Sequence, residues 1–354
     1  MPEWVTAPCP AVSEVHRLAA LNRQGQLTKP AGALGRLEQV AVDLAAIQHA
    51  ASPVADRAPI LIFVGDHGVA ELGVSAYPQD VTIAMLGNFA GGGAAISVLA
   101  RELGCRLEVI DVGTRAKDAL PGVVTDKPRA GSRNFASEPA LTNDEVIFAM
   151  SAGRRAVMRA VAGSPDVLIL GEMGIGNTTS AAAIAAALLD ADAASLTGAG
   201  TGLDVAGRER KSGVIESALA LHGLRERPVS PLGVLAAVGG LEIAALTGAL
   251  IAAGQQRLAV LVDGFIVSVA ALVAIRLNAS CRPYLIFTHC SAEQGHRSVL
   301  QALDATPLLD LDLRLGEGSG AALALPLVRM ACALHTRMAT FAEAAVPGRK
   351  SDAP

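Results

Sequence analysis

Three short stretches of this chain combine residue types that could do chemistry. Leu313-Arg314-Leu315-Gly316-Glu317-Gly318-Ser319-Gly320 sets one carboxylate among glycines, just ahead of the apolar run from Ala321 to Met330. Glycine permits backbone conformations closed to other residues and lets a ligand approach the main chain. A Glu in that setting is poorly placed for packing, although a surface turn capping the next helix has the same composition. Gly174-Ile175-Gly176-Asn177-Thr178-Thr179 follows an apolar run and opens a helical one. Backbone N–H groups at a helix start, beside two hydroxyls, suit a phosphate. The stretch lacks the Gly-Lys-Ser/Thr ending of a triphosphate loop, and Thr179 replaces the third glycine of a dinucleotide fingerprint. That leaves a single phosphate group or an ordinary turn and cap. Lys211, within Arg208-Glu209-Arg210-Lys211, reads from spacing alone as part of a solvated helical face. His67 and His289 have no second His at metal-ligand spacing, so neither a metal nor a cofactor is expected. His16, His49, His222, His296 and His335 stand in no recognisable pattern, and no Ser sits in a nucleophile elbow.

Five apolar runs read as buried strands that must position these residues: Pro59–Val64, Leu107–Ile110, Asp166–Leu170, Leu258–Val262 and Tyr284–Phe287. Each ends in Gly or Thr beside an acid, a His or a Ser: Asp66-His67, Asp111, Glu172, Asp263-Gly264, and Thr288-His289 with Ser291. Helical sequence separates them. A short helix is expected over Ser13–Leu21, and Leu34, Leu37, Val40, Leu44 and Ile47 repeat at steps of three and four. Further helices are expected over Val81–Leu103 (with Gly91-Gly92-Gly93 inside), Asn143–Val161, Ser180–Leu189, around Lys211, and after Glu317. Ser230-Pro231 reads as the cap and first turn of a helix running through Ala252. Arg115–Pro139 reads as a long loop, and the tail Pro347–Pro354 is expected to fray. Alternating buried strands and helices give an α/β fold, a Rossmann-like open parallel sheet flanked by helices. In such sheets ligands bind outside the carboxyl ends of the strands, where all five of these turns fall.

Composition narrows the function class. The chain has 354 residues and is 51% hydrophobic but only 3% aromatic, so its core is built from Ala, Val, Leu and Ile. A formal charge of −4 gives no basic footprint for nucleic acid, which points to a small-molecule site. Five scattered cysteines without a C-x-x-C pair fit reduced thiols and a cytoplasmic protein. Two apolar runs, Val234–Gly254 and Leu258–Leu277, approach membrane-spanning length, but each carries an acid and glycines. No membrane partner is expected.

Read together, several motifs resemble one family. They are Thr28-Lys29-Pro30 with Leu34-Gly35-Arg36-Leu37-Glu38, Gly65-Asp66-His67-Gly68-Val69, Gly73-Val74-Ser75-Ala76-Tyr77-Pro78, Gly171 to Ser180, Val262-Asp263-Gly264-Phe265, Ser291-Ala292-Glu293 and Leu315-Gly316-Glu317-Gly318. They resemble the nicotinate-nucleotide:dimethylbenzimidazole phosphoribosyltransferases, which make the lower-ligand nucleotide of cobalamin. The likeness runs in order from about Thr28 to Glu343. It implies Glu317 as catalytic base. It implies phosphate and ribose contacts around Glu172, Gly174, Gly176, Asn177, Thr178, Lys211, Asp263, Gly264 and Ser291, and a benzimidazole pocket around Ser75, Tyr77, Gln79 and Leu315. It further implies a small helical domain made from both chain ends, with residues 1–29 and 301–354 flanking a large α/β domain of residues 30–300. A homodimer whose neighbouring small domain helps close the cavity is also implied. The chain departs from the family pattern at Ala199, where Arg is expected in the Thr-Gly-x-Gly-Thr-Gly loop. It departs again at Ala33, Thr288 and Gln294, for Ser, Gly and Pro. Loss of the Arg is expected to weaken a phosphate contact or change the charge of the cavity.

Overall fold

The computed structural model describes residues 1–226 and 228–348. The five expected strands form within three residues of their anticipated bounds: β1 Ile60–Gly65, β2 Leu107–Gly113, β4 Val167–Met173, β5 Ala259–Val262 and β6 Leu285–Phe287. A sixth, β3 Val123–Thr125, lies inside the stretch expected to be loop. It is three residues long and half-buried at most, so it has no apolar run to announce it. The sheet order is β3-β2-β1-β4-β5-β6, all parallel. The direction of winding reverses between β1 and β4, which opens a crevice beyond the strand ends there. A separate two-stranded parallel ribbon pairs β7 His289–Cys290 with β8 Leu309–Asp310.

Two expected helices are broken by their glycines. Val81–Leu103 divides into Asp80–Gly91 and Ala95–Glu102, with Gly92 left-handed at φ 84° between them. The helix starting at Pro231 stops at Val238 and a new one begins at Leu241, after Gly239-Gly240. Ser230 stands at the cap position, but its side chain makes no capping hydrogen bond. The helix expected from Ser180 starts earlier, at Asn177. Both apolar runs of near membrane-spanning length are interior elements: Leu241–Gly254 and Phe265–Ala274 are buried residue by residue. By length and composition alone, Asp80–Glu102 and Ser319–Arg337 are apolar enough to cross a membrane.

The two chain ends meet. Leu27 bridges to Thr340, the Phe341 N–H donates to the Gln26 carbonyl at 2.9 Å, and Arg23 donates to the carbonyls of His335, Thr336 and Met338. Helix Glu14–Gln26 packs on Arg36–Gln48, which packs in turn on Ser319–Arg337. The first few residues lie elsewhere: the Gln255 amide donates to the carbonyls of Trp4 and Ala7. The expected fraying of Pro347–Pro354 falls mostly outside the described residues.

Candidate active site

A cavity of about 410 Å³ opens beyond the carboxyl ends of β4, β5 and β6. Its acids come from separate elements: Glu172 near the end of β4, Asp263 just after β5, Glu293 beyond β7, and Glu317 in the loop before the last helix. The other two strand ends are spent on structure. Asp111 near the end of β2 holds Lys127 at 2.7 Å and accepts from the Thr114 hydroxyl and N–H. His67 after β1 is fully buried with its Nε2 2.7 Å from Glu242 Oε1.

The Glu317 loop owes its shape to three consecutive left-handed residues, Gly316, Glu317 and Gly318, at φ 83°, 62° and 74°. A left-handed residue other than glycine costs roughly 1–2 kcal/mol, so the surroundings must hold Glu317 there. The Asp263 carboxylate does so by accepting the N–H groups of Gly318 (3.2 Å) and Ala321 (3.0 Å). The Ser319 hydroxyl donates back to the Gly316 carbonyl at 2.6 Å. Asp263 thereby occupies the positive end of helix Ser319–Arg337, which would otherwise act on Glu317. Burial pushes the Glu317 carboxyl up, the Ile96 N–H opposes this, and the charge of Asp263 adds to the rise. Of these effects on the carboxyl, burial prevails. Glu317 lines the cavity at 6% exposure, and its Oε2 is buried without a hydrogen-bond partner.

Strand β4 is shaped to receive this loop. A Cβ at Gly171 would collide with the backbone of Glu317 and Gly318, so the glycine inside an otherwise apolar strand is a docking surface. Next along the strand, burial holds the Glu172 carboxyl well above the usual range. The charges of Asp263, Glu242 and Glu317 add to this, and the Glu317 N–H opposes it. Glu172 also accepts from the Asn177 side-chain amide. The carboxyl of one acid therefore sits under the backbone of the other.

Facing these acids is the cationic side of the cavity. Lys211 is fully buried, against the expectation of a solvated face, because Glu209 and Arg210 take the outer positions of its helix. Its Nζ donates to the Thr178 hydroxyl at 2.7 Å, and burial lowers its pKa to about 8, with the charge of Glu293 working the other way. Gly200 lies against both Thr178 and Lys211, and its carbonyl accepts from Arg314 at 3.4 Å. The Gly174–Thr179 turn offers fewer donors than its sequence suggests. The Ile175 N–H goes to the Thr82 hydroxyl, and those of Asn177, Thr179 and Ser180 go back to carbonyls of the turn itself. By contrast, among the described residues no internal hydrogen bond uses the N–H groups of Gly198, Ala199, Gly200 or Thr201. The N–H groups of Gly174, Gly176 and Thr178 are likewise unpaired among the described residues, so the turn and the glycine-rich loop carrying Ala199 are two sources of free donors beside the cavity.

Of the residues singled out in the sequence, Glu317, Glu172, Gly174, Asn177, Thr178, Asp263, Gly264, Ser291, Tyr77 and Leu315 line this one cavity. Four others do not. Gly176 packs against His67 and Ala70, Lys211 stands behind Thr178, Ser75 bonds to Thr201, and Gln79 donates to the His67 carbonyl at 2.9 Å. Sequence reading passed over Thr201, Met85 and Arg314 as cavity residues. It also passed over His296, whose Nδ1 accepts the Ser291 N–H at 2.8 Å while Nε2 faces the Ser268 hydroxyl at 3.0 Å. Burial, and the charges of His289 and Arg297, lower the His296 pKa to about 3, so the ring is neutral and its Nδ1 is free to accept. Only the proximity of β5, β7 and their following turns makes that role visible.

Known proteins resemble this chain over nearly its whole length. A family model described as a phosphoribosyltransferase matches residues 9–346. The chain is 63% identical over 349 residues to the nicotinate-nucleotide–dimethylbenzimidazole phosphoribosyltransferase of Bradyrhizobium diazoefficiens, covering 99% of each. It is 57% identical over 348 residues to the protein of that name from Pseudomonas aeruginosa, covering 98% of this chain and 99% of the relative. The crystal structure of the Thermus thermophilus enzyme of that name superposes with a TM-score of 0.89 at 43% identity, covering 95% of this chain and all of that one. This chain is therefore a member of the nicotinate-nucleotide–dimethylbenzimidazole phosphoribosyltransferase family.

Proposed function

We propose that this protein transfers the phosphoribosyl group of nicotinate mononucleotide to 5,6-dimethylbenzimidazole, giving nicotinate and α-ribazole 5′-phosphate for cobalamin assembly. The observation that carries the site assignment is the buried, unpartnered Oε2 of Glu317, in one cavity with Glu172, Thr178 and Asp263. The donor is a pyridinium glycoside, so its ring leaves as a neutral pyridine and needs no general acid, unlike the leaving group of an ordinary glycoside. An azole nitrogen forms the new bond to the ribose C1′ from the opposite face. The C1′–pyridinium bond breaks with its electron pair going to the pyridine nitrogen, and the azole N–H proton passes to Glu317. A carboxyl whose pKa is raised by burial is a better proton acceptor than an exposed one, once ionised.

Thr178, Lys211 and the free N–H groups of residues 198–201 are the natural seat of the 5′-phosphate, with Arg314 alongside. The anion site thus draws on the unpaired N–H groups of the Gly174–Thr179 turn and on the neighbouring loop, where Ala199 in place of an Arg leaves the backbone as the main donor. Glu172, Asn177, Asp263, Gly264 and Ser291 are left to the ribose and to the loop that carries the base. Tyr77, Leu315 and Met85 offer apolar walls to the benzimidazole. Incubation with both substrates, read by mass spectrometry, tests the reading. The expected products are nicotinate and a ribazole phosphate. Turnover only with adenine or a phenol would change the acceptor, and no turnover with any base would overturn the reaction.

The same reading includes a homodimer, a cytoplasmic location and a small helical domain from residues 1–29 and 301–354 on a large domain of residues 30–300. Tyr77 and Leu315, 56% and 58% exposed at the cavity rim, are surfaces a second copy would cover. The five free cysteines suit a reducing compartment. The Leu27–Thr340 bridge ties the two chain ends into one unit. Sedimentation would give a single species at twice the chain mass.

A further inference from the structure

One residue faces both halves of the cavity. The backbone N–H of Thr201, like the three before it, is without an internal partner among the described residues and lies beside Thr178, Lys211 and Arg314. Its hydroxyl points the other way, accepting the Ala76 N–H at 2.9 Å and lying 3.0 Å from the Ser75 hydroxyl, which in turn accepts the Tyr77 N–H at 3.2 Å. The segment Ser75–Tyr77 has little else to hold it. It is anchored before by buried Val74 and by the Arg210 contact to the Gly73 carbonyl, and after by Gln79 on His67. Among the described residues, the hydrogen bonds that Ser75, Ala76 and Tyr77 make outside their own segment go to Thr201 alone. Ser75 does not line the cavity, whereas Tyr77 does.

We infer that Thr201 and Ser75 are positioning residues that couple the two substrate subsites: an anion on the loop of residues 198–201 orders the segment that presents Tyr77 to the acceptor. This deepens the proposed function and rests on it for the identity of the two ligands. An anion that takes up the free N–H groups removes motion from the loop, and Thr201 passes that restraint through its hydroxyl to Ala76 and Ser75. Because coupling between sites is reciprocal, the acceptor strengthens donor binding by the same factor. One or two neutral hydrogen bonds correspond to a factor of about three to ten.

The test measures the affinity of dimethylbenzimidazole by calorimetry, with and without saturating ribose 5-phosphate. The original protein should bind it about fivefold more tightly with the sugar phosphate present. Thr201→Val should bring that ratio to one, Thr201→Ser should keep it, and Ser75→Ala should reduce it. Thr201 is exposed, and melting curves of the three variants should overlay that of the original protein. A ratio of one in the original protein, or an unchanged ratio in Thr201→Val, would overturn the inference. Turnover of nicotinate mononucleotide, assayed on the same samples, separates the two ideas. Turnover without coupling removes only this inference, while coupling without turnover removes the reaction and leaves a two-ligand binding device.

Discussion

Replacing Lys211 by Met should make the protein more stable and a worse enzyme. The ammonium is fully buried and its pKa is lowered from 10.5 to about 8 by that burial. The gap corresponds to ~3 kcal/mol of unfavourable burial at neutral pH. Between about 8 and 10.5 the unfolded chain binds the proton more readily than the folded one. Stability therefore rises with pH across that window, and the full cost is present below it. Met removes the cost but also the bond to Thr178, worth ~1 kcal/mol, leaving a gain of ~2 kcal/mol. For 354 residues that is a rise of roughly 3 °C in melting temperature at pH 7, shrinking toward zero or reversing near pH 10.5. In the proposed phosphate site, loss of the charge behind Thr178 should raise the KM for nicotinate mononucleotide about 10- to 100-fold. The assays are paired melting curves at pH 7 and 10 and initial rates over donor concentration. A variant that melts below the original protein at pH 7 would refute the argument that this charge is held at a cost. An unchanged donor KM would remove Lys211 from the phosphate site.

Glu317→Gln should preserve folding and acceptor binding and lower kcat about 10²–10⁴-fold, as expected for a lost general base. Because burial raises the Glu317 pKa, kcat/KM of the original protein should fall as pH drops through a value above the ordinary 4.5, and the Gln variant should lack that acid limb. Near-normal turnover would dismiss Glu317 as base. Gly171→Ala sets a methyl group against the backbone of Glu317 and Gly318. It should lower kcat by about 100-fold through a shift of order 1 Å, with circular dichroism unchanged. A kcat within threefold of the original would show that the loop need not dock on β4.

The sheet was legible because β1, β4, β5 and β6 are buried along nearly their whole length and β2 along most of it, edge strand β6 included, and a strand buried on both faces must be a continuous apolar run. β3 was hidden for the converse reason: it is short and half-exposed. The helix breaks at Gly92 and Gly239-Gly240 were present as glycines, but composition does not say whether a glycine packs or interrupts. The Glu317 loop stood out because three successive left-handed residues demand glycine around the single acid.

Sequence by itself thus determined the order of the strands along the chain, the acids at their ends, and the family to which these motifs belong. Tertiary structure alone decided that Lys211 is buried and that Asp263 rather than Glu317 caps the last helix. It also decided which backbone donors stay free, those of residues 198–201 among them, and that Ser75 turns toward Thr201 instead of the cavity. Local pattern reports which face of an element is apolar. Which charges are desolvated, and which N–H groups remain unpaired, depends on contacts between segments 33 to 126 residues apart in the chain, and those exist only once it has closed on itself.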